Sequence, residues 1–158
     1  MGEPLHSPNK NQLTNEIGNK MNNRVLLASL AGGITAFLAG FVFYGLLLKG
    51  FFAANTGAAT GVAKDPPDLL AIAVGSLAWG LFYALVYDRW ARIATLKQGA
   101  LHGAWTGLLL SVAWDFISFG SSHTMNLTAT LTDPVVGAAM GASIGGIVGW
   151  ALGFGDGK

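Results

Sequence analysis

Four stretches of the chain, 25–48, 69–87, 100–119 and 135–154, consist almost entirely of apolar residues. None alternates as a half-buried strand does, and none has the charged face that a helix of a soluble bundle turns to water. Coiled as α-helices at 1.5 Å per residue, each is roughly 30 Å long, the thickness of a bilayer's hydrocarbon core. The pattern predicts an all-α polytopic membrane protein: four transmembrane helices in an antiparallel bundle, together spanning 24–155.

The polar segments between these stretches carry helix signals. Asp68 follows Pro66-Pro67 and suits the N-cap of the second helix. Asp133-Pro134 reads as an N-cap followed by proline in the first helical position. Tyr87 with Trp90, Trp114 with Phe116, and Trp150 with Phe154 fall where a membrane meets water. Residues 1–23 are polar, contain Pro4 and Pro8 and show no apolar period, which predicts a disordered N-terminal segment. They lack the apolar run and cleavage site of a signal peptide. Met21-Asn22-Asn23-Arg24, just ahead of the first span, reads as an alternative start of translation.

Charge adds an orientation. Lys10, Lys20, Arg24, Arg89, Arg92, Lys97 and Lys158 fall on one side of the expected bundle, and only Lys49 and Lys64 on the other. The positive-inside bias then places both termini in the cytoplasm of a cell whose inner (plasma) membrane holds the protein.

Composition narrows the function classes. Charged residues make up 11% of the chain, against about 25% in soluble domains. The net charge of +1 offers no basic face for nucleic acid, and the absence of cysteine excludes a disulfide-stapled module. Glycine is in excess, with 23 among 158 residues, and its placement is regular. Gly137, Gly141, Gly145, Gly149 and Gly153 recur every four residues in the last span. Gly99, Gly103, Gly107 and Ser111 do the same in the third, and the next step lands on Asp115. Positions four apart share a helix face, and small residues there let a second backbone approach closely. These rows predict helix packing between spans three and four, with part of a row left for self-association.

Asp115 is the sole formal charge within the four stretches. An acid inside a span is costly and usually faces protein or water, so Asp115 is a candidate protonatable or cation-binding site. The competing reading is a hydrated interfacial carboxylate paired with the outer loop. His123, in the polar loop beyond the third span, is its candidate partner if that loop folds back. Two such groups are too few for a metal site, and no zinc, phosphate-loop or nucleophile-elbow motif occurs. No cofactor or metal is therefore expected. His102, near the cytoplasmic end of the third span, reads as an interfacial histidine, and Trp79, Tyr83 and Tyr87 as a packing set.

Three segments carry a resemblance: Tyr44-Gly-Leu-Leu-Leu-Lys49 running into Phe51-Phe52, Lys64-Asp-Pro-Pro-Asp68, and Met125-Asn-Leu-Thr128. With them the chain, over about 21–154, resembles small bacterial four-span inner-membrane proteins with no assigned activity. The resemblance implies architecture and bacterial origin and brings no catalytic motif. The functional expectation is a membrane component whose partners are the lipid bilayer and either a second copy or another membrane protein. The alternative is a small transporter or channel subunit built on Asp115.

Overall fold

The computed structural model describes residues 10–154. They form α1 (Lys10–Gly40), which runs on as a wider π-helical segment over Phe41–Leu47, the short α2 (Lys49–Ala54), and α3 (Leu69–Val86) with its own π-helical end at Tyr87–Ala91. Then come α4 (Leu96–Ser121) and α5 (Leu127–Gly153). The described chain is helical, without a β-sheet. Three stretches are long and apolar enough to cross a membrane: Asn23–Leu47, Leu69–Ala91 and Leu127–Gly153.

Helix starts follow their caps. Asp68 accepts a hydrogen bond from the Ala71 N–H (3.1 Å) and opens α3 as its sequence predicts. Thr95 opens α4 by accepting from the Gln98 N–H (3.3 Å). The start of α5 corrects the expectation at Asp133-Pro134. Its cap is Asn126, which accepts from the Ala129 N–H (3.0 Å), and Pro134 lies inside the helix. The intervening threonines look like loop residues, yet Thr130 Oγ1 and Thr132 Oγ1 donate to the carbonyls of Asn126 and Thr128, four residues back. A hydroxyl bonded to its own helix needs no water, so a threonine-rich sequence continues the helix. Residues 10–23 also differ from the expected disorder, because α1 already begins at Lys10. Extending an existing helix fixes one residue per bond and needs no new nucleus. Residues 1–9 and Lys158 lie outside the described chain.

α1 packs against α3 and α5, and α4 lies along α5. Between α4 and α5 the glycine rows meet. A β-carbon added at Gly99, Gly103 or Gly107 would clash with the carbonyl oxygen of Gly145, Gly141 or Gly137 respectively. The converse holds at Gly145 and Gly141, which face the carbonyls of Gly99 and Gly103. Residue numbers thus rise by four along α4 as they fall by four along α5. Such closeness permits Cα–H···O contacts between backbones. α1 and α3 cross in a similar way at Gly32, Gly33 and Gly80.

Two tyrosines tie α3 to this pair. Tyr83 and Tyr87, both buried, donate to the carbonyls of Gly103 (3.2 Å) and Gly99 (2.8 Å). At that end of the bundle Arg24 donates to the carbonyl of Leu152, where the α5 dipole is negative. At the opposite end two loops are clipped together: the Asn126 N–H donates to the Asn55 carbonyl (3.1 Å) and the Ala59 N–H to that of His123 (3.0 Å).

The interior is small and partly polar, with Tyr83, Tyr87, Ile144, Val148 and Leu152 among its large buried side chains, whereas most large apolar side chains point outward. Leu30, Leu38, Val74, Leu109, Ile117 and Val135 are all exposed. Apolar surface on this scale marks contact with lipid or protein rather than water.

The contact between the rows gives a first prediction. Gly103→Val should destabilise the protein by at least about 3 kcal/mol, the upper range for overpacking, because its neighbour is backbone that cannot move aside. Gly75→Ala, with open space around it, should unfold at or slightly above the wild-type temperature. Thermal unfolding in detergent compares the two.

Candidate functional site

The α4–α5 register carries the site. The next step beyond Gly107 and Gly137 sets Ser111 opposite Asp133, and Ser111 already packs over Gly137. One further step along α4 reaches Asp115, which lines one cavity with Asp133. Tyr44, from the π-helical end of α1, completes the group by donating to Asp133 Oδ1 (2.7 Å). A π turn is wider than an α turn and shifts the side chains it carries, and such turns are frequent at functional sites.

Asp115 is only 2% exposed. Its Oδ2 has no hydrogen-bond partner among the described residues. It also sits six residues inside the end of α4, about 9 Å along the axis. This replaces the expected interfacial carboxylate paired with the outer loop. Burying an unpaired carboxylate is costly, and a second carboxylate beside it adds repulsion. No cationic side chain lines the cavity at this point. The site is short of one positive charge, which a shared proton or a bound cation would supply.

The cavity has a volume of about 260 Å³ and is lined from four elements. Tyr44 comes from the end of α1, Trp79 and Tyr83 from α3, Trp114 and Asp115 from α4, and Asp133 from α5. Trp79 and Tyr83 form one aromatic wall, with ring centroids 6.1 Å apart and planes 33° from parallel.

The residues expected from sequence divide. Asp115 is in the cavity, and Gly107, Ser111, Gly137 and Gly141 contribute to its wall. Gly149 and Gly153 extend the row away from it, against the backbone of Thr95 and Ala94. His123 does not line the cavity. Its backbone carbonyl serves the loop clip instead, and the second acid in the cavity is Asp133. No group of three or more potential metal ligands among His, Cys, Asp and Glu occurs among the described residues. His102 is exposed. Tyr83 and Tyr87 bridge helices through their hydroxyls, beyond filling space.

Sequence reasoning missed Asp133 and Tyr44. A signal for Asp133 was present. The glycine row of α5, followed back by one four-residue step from Gly137, lands on Asp133, just as the row of α4 leads to Asp115. The cap-like Asp-Pro pair masked it. Tyr44 had no such signal, because its position depends on a π turn.

No known protein family, curated protein or solved structure matches the chain.

Tyr44→Phe removes the donor to Asp133 and should lower stability by about 1 kcal/mol, the usual net worth of one hydrogen bond. Thermal unfolding in detergent reads this loss.

Proposed function

We infer that the chain is a four-span protein of the inner (plasma) membrane whose Asp115–Asp133 pair binds and releases a proton or cation, as in a small transporter or channel subunit. The observation that carries this reading is the buried, unpartnered Oδ2 of Asp115 beside a second carboxyl. Intramembrane acids in such settings mark ion and proton pathways.

α4 serves as the fourth span, in an antiparallel bundle with cytoplasmic termini. Its 26 residues match the length of α5. Its apolar character is diluted by Lys97 near its start, by His102 in its second turn, and by Asp115. Because Asp115 faces protein, Leu101, Trp105, Leu109, Val112, Phe116 and Ile117 remain for lipid. Arg24, Arg89, Arg92 and Lys97 fall at the end where α1 begins and α5 finishes, in keeping with the positive-inside bias.

The packing-component reading draws less support. Self-association through the part of a glycine row expected to remain free loses support, because the rows of α4 and α5 face one another. A partner would have to use the broad apolar outer face of α4.

The full chain in proteoliposomes, under an imposed membrane potential, should show pH-dependent cation or proton flux that falls at least tenfold in Asp115→Asn. Flux unchanged by the substitution would overturn the reading. Infrared difference spectra test the site itself. A carboxyl C=O band should titrate with pH and be lost in both Asp115→Asn and Asp133→Asn.

A further inference from the structure

Inorganic cations fit the cavity poorly. A divalent ion takes six or more oxygen ligands, or a compact tetrahedral set. Here two carboxyl groups and the hydroxyl of Ser111 line a space of about 260 Å³, and the Tyr44 hydroxyl is already committed to Asp133. The cavity also exceeds what one small ion fills. Its remaining walls set the indoles of Trp79 and Trp114 and the ring of Tyr83 beside the aliphatic side chains of Leu110, Met140 and Ile144. Carboxylates together with aromatic faces are the means by which proteins hold ammonium groups that carry carbon substituents, since the ring quadrupole attracts a cation that needs no hydrogen bond.

The acidic pair does not stand alone. Asp115 is buried, its Oδ2 has no partner among the described residues, and it lines the space. Access is from the side. Trp114 is 72% and Trp79 41% exposed, although both line the cavity, so they flank an opening between α4 and α3. A cation with apolar substituents can enter there from the lipid, as a hydrated metal ion cannot.

Building on the carboxyl-pair reading above, we propose that this cavity binds an organic ammonium cation between the Asp115–Asp133 pair and the Trp79–Trp114 aromatic walls. The titratable groups facing Asp115 across the cavity are Asp133 from α5, Tyr44 from the end of α1 and Tyr83 from α3. Cation and proton occupy the same pair of carboxyls, so binding releases the proton held there to solvent.

The test uses the full chain in detergent micelles with tetraethylammonium as the probe, read by calorimetry in two buffers of different ionisation enthalpy and by tryptophan fluorescence. The expected result is saturable binding with one site per chain and a buffer-dependent heat that reports proton release. Affinity should fall at least tenfold in Asp115→Asn and at least fivefold in Trp114→Leu. Trp114 is largely exposed, so its replacement keeps the fold even if Asp115→Asn does not. Equal affinity in either folded variant, or displacement of the probe by sodium at a comparable concentration, would overturn the proposal. Absent binding with the titrating carboxyl band intact rejects the ammonium ligand alone. Absent binding together with an absent band rejects the carboxyl-pair reading as well.

Discussion

Helices surrounded by apolar side chains have little to gain from burying more of them, so their association depends on how closely backbones approach. Between α4 and α5 that approach is set by Gly99, Gly103 and Gly107 on one helix and Gly145, Gly141 and Gly137 on the other, where even one β-carbon would strike a carbonyl. The contact fixes distance and also register, because each glycine fits only opposite its counterpart. The carbonyls of Gly99 and Gly103 then accept the hydroxyls of Tyr87 and Tyr83, which hold α3 against the pair. The same register sets Ser111 opposite Asp133, with Asp115 one turn further along α4, and both acids line one cavity. Packing and candidate chemistry therefore share one geometric cause.

This arrangement turns a soluble bundle inside out. Small residues, hydroxyls and an acid lie inside with a few apolar side chains such as Ile144, Val148 and Leu152, while most leucine, isoleucine, valine and phenylalanine cover the outside. In the proposed bilayer the outer residues are solvated by lipid, and each interior polar group needs a partner within the protein. Ser76 and Thr130 meet that need within their own helices, through the carbonyls of Ile72 and Asn126. Asp115 Oδ2 does not. An unmet demand on a buried carboxylate, beside hydroxyls that meet theirs within their own helices, is the physical content of the site.

Much of this was legible in the sequence, for identifiable reasons. Three apolar stretches long enough to cross a membrane stand out from their composition, and the Asp68 cap from its position after two prolines. The four-residue recurrence of glycine is a sequence fact, and the structure sets those residues face to face. Legibility failed where side chains satisfy backbone in ways composition hides. Thr128, Thr130 and Thr132 read as loop, yet they belong to a helix that starts seven residues before Pro134. Asp133 read as a cap for the same reason. His123 is near Asp115 along the chain but not in the cavity, because the loop folds against Ala59 instead. Tyr44 is brought in by a π turn, which no local pattern in this sequence announces.

The packing of α4 on α5 leaves Asp115 and Asp133 facing one another across a single cavity in the bundle. Magic-angle-spinning NMR of the full chain in lipid bilayers, with ¹³C-labelled aspartate, measures this directly. A through-space cross-peak between the side-chain carboxyl carbons of Asp115 and Asp133 is the predicted result, assigned by its loss on Asp133→Asn. Two resolved carboxyl signals with no cross-peak between them, in a folded preparation, would contradict the account.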